Sequence, residues 1–215
     1  MIPTIRSTII NLMDIVGDKS FFIIIGMTLL RGFIGFIISL FLAILFGILS
    51  SVWKMVYNAM QPILVFLKSV PTMAIIILAL IWLNSDKAPM FVGFIMVFPI
   101  LYETVLNGIL DIERNVIEMA RLYKVSNATL IKDIYIPSVL ISLKGVLTST
   151  LGLNFKMVIA GEALAQPKYA IGSNLQLQKL YLNTPGVFAW IIIILLIVNI
   201  IEYGLKILAK YLERI

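Results

Sequence analysis

The sequence predicts an all-α protein that crosses a membrane several times. Of its 215 residues, 61% are hydrophobic and 13% are charged, which is about half the charged share of an ordinary soluble domain. Five separate segments are apolar enough, and long enough, to cross a hydrocarbon layer about 30 Å thick. Such long runs favour helices, because a helix satisfies its own backbone hydrogen bonds inside a bilayer. We therefore predict a single transmembrane domain over residues 1–215.

The same composition excludes most catalytic chemistry. With no histidine and no cysteine, the chain offers no imidazole base, no thiolate and none of the usual zinc or soft-metal ligand sets. We expect no catalytic residues, no metal site and no cofactor held by this chain. The net charge of +6 does not indicate nucleic acid, because basic residues of a membrane protein mostly set its orientation and meet anionic lipid.

A short amphipathic element precedes the spans. Within residues 1–20, Ile5 and Ile9 recur at helical spacing while Arg6 and Asp14 fall on another face. This pattern predicts a helix that lies on the membrane surface. The spans that we expect after it are 22–50, 62–83, 89–110, 138–161 and 186–209.

Prolines and glycines inside the spans predict their shape. Pro71 lies within the second span and Pro99 within the third, and each predicts a kink because proline lacks the backbone N–H that a helix needs. Small residues allow helices to approach closely. The glycines that predict such contacts are Gly32, Gly35, Gly145 and Gly152.

The longest polar interruption is "EMARLYKVSNATLIKDIYIPS", residues 118–138. Asn115 followed three residues later by Glu118 is typical of a helix N-cap with its capping-box partner, and it predicts a helix over 116–124. Ser126 can cap a second helical stretch, and Pro137 favours a turn into the next span. We predict a compact two-helix element within 111–137, although a solvated loop with good caps also fits the pattern.

The spacing of this interruption resembles the loop motif of the import-type ABC transporter permeases. That motif is written E-A-A, three residues, G, nine residues, I, any residue, L-P. The corresponding positions here are Glu118, Met119, Ala120, Lys124, Ile134, Tyr135, Ile136 and Pro137. Lys124 replaces a glycine that would tolerate a left-handed turn, so we expect an altered or strained bend between the two short helices.

The resemblance extends over most of residues 27–163. Blocks such as "PILVFLKSVPTMAIIILALIW" and "FPILYETVLNGI" are similar to the nitrate, taurine and sulfonate branch of these permeases. The five-span count is instead similar to the methionine-uptake branch, which leaves the substrate class open.

This resemblance implies a mechanism and a set of partners. In the family, two permease subunits form a dimer, a separate cytoplasmic ATPase pair binds ATP and Mg, and an extracellular binding protein delivers the solute. Each loop element transmits ATPase closure to the spans as a stiff lever. The motif positions that would couple to the ATPase are Glu118, Ala120, Lys124, Ile134 and Pro137, and we add their neighbours Arg121 and Tyr123 as contact residues.

The basic residues suggest an orientation. If residues 111–137 face the cytoplasm, more lysines and arginines collect on that side than on the other, as the positive-inside rule requires. The cytoplasmic set is Lys54, Arg114, Arg121, Lys124, Lys132, Lys206, Lys210 and Arg214, against Arg6, Lys19, Lys87, Lys168 and Lys179 outside. Five spans then place the N-terminus outside the cell membrane and the C-terminus inside.

Ionisable residues inside the spans require partners or water. Counted at about 1.5 Å per residue, Glu103 and Lys144 lie at one level near the inner side, and we expect them to pair. By the same count, Arg31, Lys156 and Glu162 form an outer group. Two interpretations stay open: structural pairing between packed helices, or a path in which Lys156 or Arg31 meets an anionic substrate.

The stretch 162–185 is too long and polar to be a plain connector. It predicts either a short helix after Gly172 that seals the outer mouth or meets a delivery protein, or a tethered solvated loop.

The leading hypothesis is an ATP-driven importer permease for a small anion such as a sulfonate, taurine or nitrate. A vitamin-precursor-like compound and methionine are alternative substrates. A self-contained ion-coupled carrier or channel is the alternative class, with Glu103 and Glu202 as its proton or sodium sites.

Overall fold

The structure is a computed structural model that describes residues 3–212, with side chains given throughout that range except at Arg121 and at 205–212. Every regular element within those residues is helical. The helices in chain order are α1 Ile5–Gly17, α2 Phe21–Val52, α3 Lys54–Ser69, α4 Thr72–Trp82, α5 Ala88–Leu110, α6 Arg114–Leu122, α7 Asn127–Leu130, a π turn Ile131–Tyr135, α8 Ile136–Ala165, α9 Ile171–Leu180 and α10 Thr184–Leu212.

Four of the described helical stretches are long and apolar enough to cross a membrane, and a bent pair of helices provides up to one more. The predicted spans 22–50, 89–110, 138–161 and 186–209 correspond to α2, α5, α8 and α10. These stretches confirm the prediction of an all-α, multi-pass membrane protein.

The expected span 62–83 is broken rather than continuous. Helices α3 and α4 meet at an angle of 105°, and Pro71 stands between them as the residue before α4. Proline fixes its own φ and disfavours helix at the preceding residue, and Val70 accordingly has extended backbone with ψ of 128°. Pro99, by contrast, lies inside α5 without ending it.

Helix α5 forms the centre of the bundle, packed along α2 on one side and α8 on the other. Two glycines of α2 allow the close approach, because a Cβ at Gly35 would lie 2.7 Å from the Met90 carbonyl oxygen and a Cβ at Gly47 would lie 2.7 Å from Val105 Cγ1. Tyr102 is fully buried in this core, and its hydroxyl donates to Ser50 at 2.8 Å. The rigid unit that positions the rest of the chain is therefore the set α2, α5 and α8.

The glycine prediction holds at three positions and fails at one. Gly32 lies against Phe155, Gly35 against Met90 and Gly152 against Glu202, whereas no atom lies within 4 Å of a Cβ built at Gly145. Gly145 thus belongs to a face of α8 that no described part of the chain covers.

The amphipathic helix expected near the N-terminus is α1. Thr4 caps it by accepting from the backbone N–H of Ser7, and the helix packs mainly against α10. Its location on the membrane surface remains a prediction.

Candidate functional site

Helix α6 is a short charged helix that follows the central helix α5. Its N-terminus differs from the predicted capping box: the helix begins at Arg114, and the N–H of Val116 donates to the carbonyl of Glu113 at 3.0 Å. Asn115 therefore lies inside the first turn instead of capping it. The carboxylate of Glu118 accepts from Arg114 Nε at 2.8 Å rather than reaching back to the backbone.

The C-terminus of α6 is closed by a left-handed residue. Lys124 has φ of 55°, and the N–H of Val125 donates to the carbonyl of Ala120 at 3.0 Å. This six-to-one hydrogen bond is the Schellman closure, in which the left-handed position usually belongs to glycine. Lys124 thus keeps the conformation of the motif's glycine, at a cost of roughly 1–2 kcal/mol for a side chain there.

The second half of the element begins as predicted but ends differently. Ser126 caps α7 by accepting from the N–H of Thr129 at 3.2 Å. No turn follows at Pro137, because helical structure is continuous from Asn127 to Ala165.

The π turn at Ile131–Tyr135 explains how the helix tolerates this proline. Pro137 cannot donate a hydrogen bond, and its ring would clash with the carbonyl four residues earlier in an α-helix. In the wider turn, the N–H of Ile136 donates to the carbonyl of Ile131, five residues earlier. The expected turn at Pro137 was wrong because a π bulge absorbs the proline within the helix.

One face at the end of α6 is apolar, and no part of the chain that the structure describes covers it. Leu122 is 82% exposed, Met119 54% and Tyr123, the residue after α6, 80%, whereas Ala120, about 100° around the helix from Met119, is buried. These three side chains form what we term the α6 patch. Exposed apolar side chains grouped on a capped helix are typical of a protein-binding surface. The side chain of Arg121, which we predicted as a contact residue, lies outside the described part of the chain.

At the opposite end of α5, a buried carboxylate joins three helices. Glu162 of α8 has no exposed side-chain surface and accepts from Thr28 Oγ1 at 3.0 Å, from Arg31 Nη1 at 3.0 Å and from the N–H of Gly172 at 3.2 Å. Thr28 in turn accepts from the N–H of Ile171 at 3.0 Å. Helices α2, α8 and α9 are therefore tied by side chain to backbone bonds as well as by one ion pair.

Arg31 extends this cluster to two loops. Its Nη1 also donates to the carbonyl of Tyr169 at 2.8 Å, and its Nη2 pairs with Asp86 at 2.6 Å. The Arg31 side chain is 4% exposed and that of Asp86 is 65% exposed. The cluster thus reaches from the buried end of α8 to solvent.

The membership of the predicted outer group needs one correction. Arg31 and Glu162 are paired, but Lys156 is exposed and makes no ion pair with any side chain that the structure describes. Six residues separate Lys156 from Glu162, so the two point about 120° apart around α8. The predicted depth of Lys156 along the helix was near the cluster, but its side chain points to another side of α8. Asp86 of the α4–α5 connection is the third charged member of the cluster instead.

The predicted inner pair was also wrong. Glu103 pairs with Lys68 of α3, not with Lys144, which is half-buried. Lys68 lies six residues into the predicted span 62–83, or about 9 Å. The same depth count would therefore have placed it level with Glu103, but depth could not show that Glu103 faces α3 rather than α8.

The stretch 162–185 contains a helix, not a solvated loop. Helix α9 begins at Ile171, and its first three residues are buried. A Cβ at Gly172 would lie 2.6 Å from the backbone nitrogen of Ala163, so α9 packs backbone to backbone against the end of α8.

The bundle, its uncovered α6 patch and its buried charge cluster define a multi-pass membrane protein with a helical element available for a partner. Residues 35–214 match the family described as the binding-protein-dependent transport system inner membrane component, and the chain belongs to that family. It is a permease subunit of the importer class of ABC transporters.

Relatives agree with this assignment. The "Probable ABC transporter permease protein" of Brucella melitensis is 29% identical over 84% of this chain and 71% of its own. The taurine transport system permease protein TauC of Escherichia coli is 25% identical over 81% and 65%, and the nitrate import permease protein NrtB of Leptolyngbya laminosa is 28% identical over 68% and 53%. These relatives confirm the resemblance to the nitrate, taurine and sulfonate branch.

A solved structure shows the same fold. A chain of the MetNI methionine ABC transporter, solved in inward-facing conformations, superimposes with a TM-score of 0.66 at 18% identity, over 87% of this chain and 92% of that one.

Proposed function

We propose that the chain forms the membrane path of an ATP-driven importer and that α6 couples this path to a cytoplasmic ATPase. The observation that carries the proposal is the α6 patch. Helix α6 ends in a Schellman turn, and after residues 123–126 helical structure runs without a break from Asn127 to the end of α8. A lever must be stiff to transmit a displacement, because a flexible loop would absorb it. In this arrangement α6 faces the cytoplasm, the N-terminus lies outside, and ATP and Mg are bound by the ATPase, not by this chain.

We infer an anionic solute from Lys156. This exposed lysine lies nine residues before the end of α8, roughly 14 Å inside the helix end. An ammonium group facing lipid at such a position costs several kcal/mol, so this face of α8 lines a wet path or meets another subunit. Relatives named for taurine and nitrate transport favour a solute with an anionic group, a sulfonate or a nitrate, while methionine and vitamin-precursor-like compounds remain alternative solutes.

The second subunit is best supplied by another copy of this chain. Gly145, Ser149 and Ala160 lie on the same exposed face of α8 as Lys156, and small residues of this kind allow two helices to approach closely in a membrane. A two-fold dimer about this face would bring two Lys156 side chains to one path. An extracellular binding protein would deliver the solute to it.

A self-contained carrier is less well supported. It would need free intramembrane carboxylates, but Glu103 is engaged by Lys68. Glu202 is half-buried against Gly152, and it is the one remaining candidate of the two carboxylates that the sequence predicted as proton or sodium sites.

Reconstitution tests the proposal. The chain, its ATPase and its binding protein are assembled in liposomes, and uptake of labelled taurine, nitrate, methionine and a thiamine-precursor pyrimidine is measured. We expect ATP-dependent uptake of an anion, a large loss of uptake with Lys156→Met, and unchanged uptake with the matched control Lys19→Met, an exposed lysine between α1 and α2. Uptake by the chain alone would establish the carrier instead, and unchanged anion uptake in Lys156→Met would remove the role of Lys156.

A further inference from the structure

Arg31 connects two parts of the structure that differ in how many hydrogen bonds hold them. On one side, Glu162 connects α2, α8 and the start of α9 through buried hydrogen bonds from Thr28, Arg31 and Gly172. On the other side, among the polar contacts described, the connection between α4 and α5 reaches this cluster only through Asp86.

The segment that carries Asp86 is residues 84–87, and all four of these residues are exposed. It follows α4, a helix of 11 residues in the bent pair. Its local turn is held by Asn84, whose Oδ1 accepts from the N–H of Lys87 at 3.0 Å. Immediately after it, α5 is fixed, since a Cβ at Gly161 of α8 would lie only 3.0 Å from Pro89 Cα. Helix α4 is anchored as well, because Ile76 and Ala79 are buried in an apolar cluster with Val92 of α5. The part that is free to move is therefore residues 84–87, between these two anchored helices.

The charges make release of Asp86 inexpensive. The cluster holds two carboxylates against one guanidinium, so Arg31 remains neutralised by the buried Glu162 when Asp86 leaves. Breaking a buried pair is costly because it leaves a charge without a partner, but here Arg31 keeps Glu162 as its counter-charge. Asp86, already 65% exposed, passes into water, and water that enters at this exposed side must replace it as the acceptor of Arg31 Nη2.

We propose that Arg31 and Asp86 form a releasable latch, which holds residues 84–87 against α2 at this end of the bundle and opens when the path opens to that side. This inference rests on the proposed function, since it assigns a moving part to the same path. Glu162 is the fixed half of the latch, and Asp86 is the moving half.

The absence of cysteine from the chain allows a direct test. Cysteines introduced at Ser85 and Lys168, which lie next to Asp86 and Tyr169 in the two loops that Arg31 joins, carry spin labels for distance measurement in nanodiscs. In the transporting complex we expect the distance distribution to lengthen when ATP is added. An unchanged distribution during active transport would overturn the latch.

Variants of the isolated chain give a second readout that needs no partner. Asp86→Asn should raise the population of longer distances by about twofold to fivefold, the range expected for loss of an exposed ion pair. Asp86→Glu should keep the native distribution, and Asp14→Asn, which removes an exposed carboxylate elsewhere, is the matched control. An Asp86→Asn distribution identical to the native one would overturn the latch. Failure of the complex to hydrolyse ATP would instead refute the proposed function, and the isolated chain would still decide the latch.

Discussion

The backbone N–H of Val125 donates to the carbonyl of Ala120 at 3.0 Å, and this bond closes α6. It forms only because Lys124, between them, has φ of 55°. The glycine of the motif would adopt a left-handed backbone conformation at this position, and Lys124 adopts the same conformation here. The strain at Lys124 is local, because the residues on both sides of it keep ordinary backbone conformations among those described.

Replacing Lys124 by glycine should stabilise the element. Glycine adopts positive φ without a steric penalty. After the greater freedom of glycine in the unfolded chain is subtracted, we expect Lys124→Gly to raise the free energy of unfolding by up to about 1 kcal/mol. Slower hydrogen exchange at the Val125 amide would report the gain. Lys132→Gly, within the π turn, is the control and should lose about 1 kcal/mol; faster exchange in Lys124→Gly would refute the assignment of strain.

The α6 patch should bind a partner without stabilising the chain. Leu122 is 82% exposed, so Leu122→Asp should change the stability of the isolated chain by less than about 0.5 kcal/mol. The same variant should lose the ATPase during co-purification, because a buried unpaired carboxylate opposes an apolar interface. Thermal unfolding and pull-down from one preparation measure both effects.

The control for the patch is Leu180→Asp, an exposed leucine at the end of α9. It should leave ATPase binding unchanged. Equal binding by the two variants would show that the patch is not the coupling surface.

The sequence predicted the spans well because length and apolar character alone decide whether a helix can cross a bilayer. It predicted charge pairing poorly, for a physical reason. Depth follows from residue count, whereas the direction of a side chain depends on how each helix is rotated in the bundle. Glu103 and Lys156 were both placed at reasonable depths and assigned to the wrong neighbours.

Breaks in helices were only partly predictable. Pro71 and Pro137 carry the same local signal, yet one separates two helices at 105° and the other lies in a continuous helix. The signal of a proline does not show whether a π turn before it will accommodate the missing N–H, as Ile131–Tyr135 does for Pro137.

The two carboxylates on Arg31 should differ sharply in their contribution to stability. Glu162→Ala removes the buried acceptor of the Arg31 guanidinium, of Thr28 and of the Gly172 N–H. We therefore expect the free energy of unfolding to fall by about 3–5 kcal/mol. Asp86→Asn removes an exposed partner and should cost less than about 1 kcal/mol. Denaturant unfolding of the chain in mild detergent compares them, and similar losses would contradict the division into fixed and releasable halves.

Two glycines, one at the start of α9 and one inside α8, should differ in how an added methyl group changes the stability of the chain. At Gly172 an added Cβ would lie 2.6 Å from the Ala163 nitrogen and 2.7 Å from Glu162 Cβ, and neither backbone nor buried carboxylate can move without disturbing the cluster. We expect Gly172→Ala to cost about 1–3 kcal/mol, as overpacking does. At Gly145 the added Cβ meets open space, so Gly145→Ala should be neutral or stabilise the isolated chain by up to about 1 kcal/mol, because alanine favours helix over glycine. Thermal unfolding of the two variants side by side measures the difference, and a destabilised Gly145→Ala would mean that another part of the chain covers this face of α8.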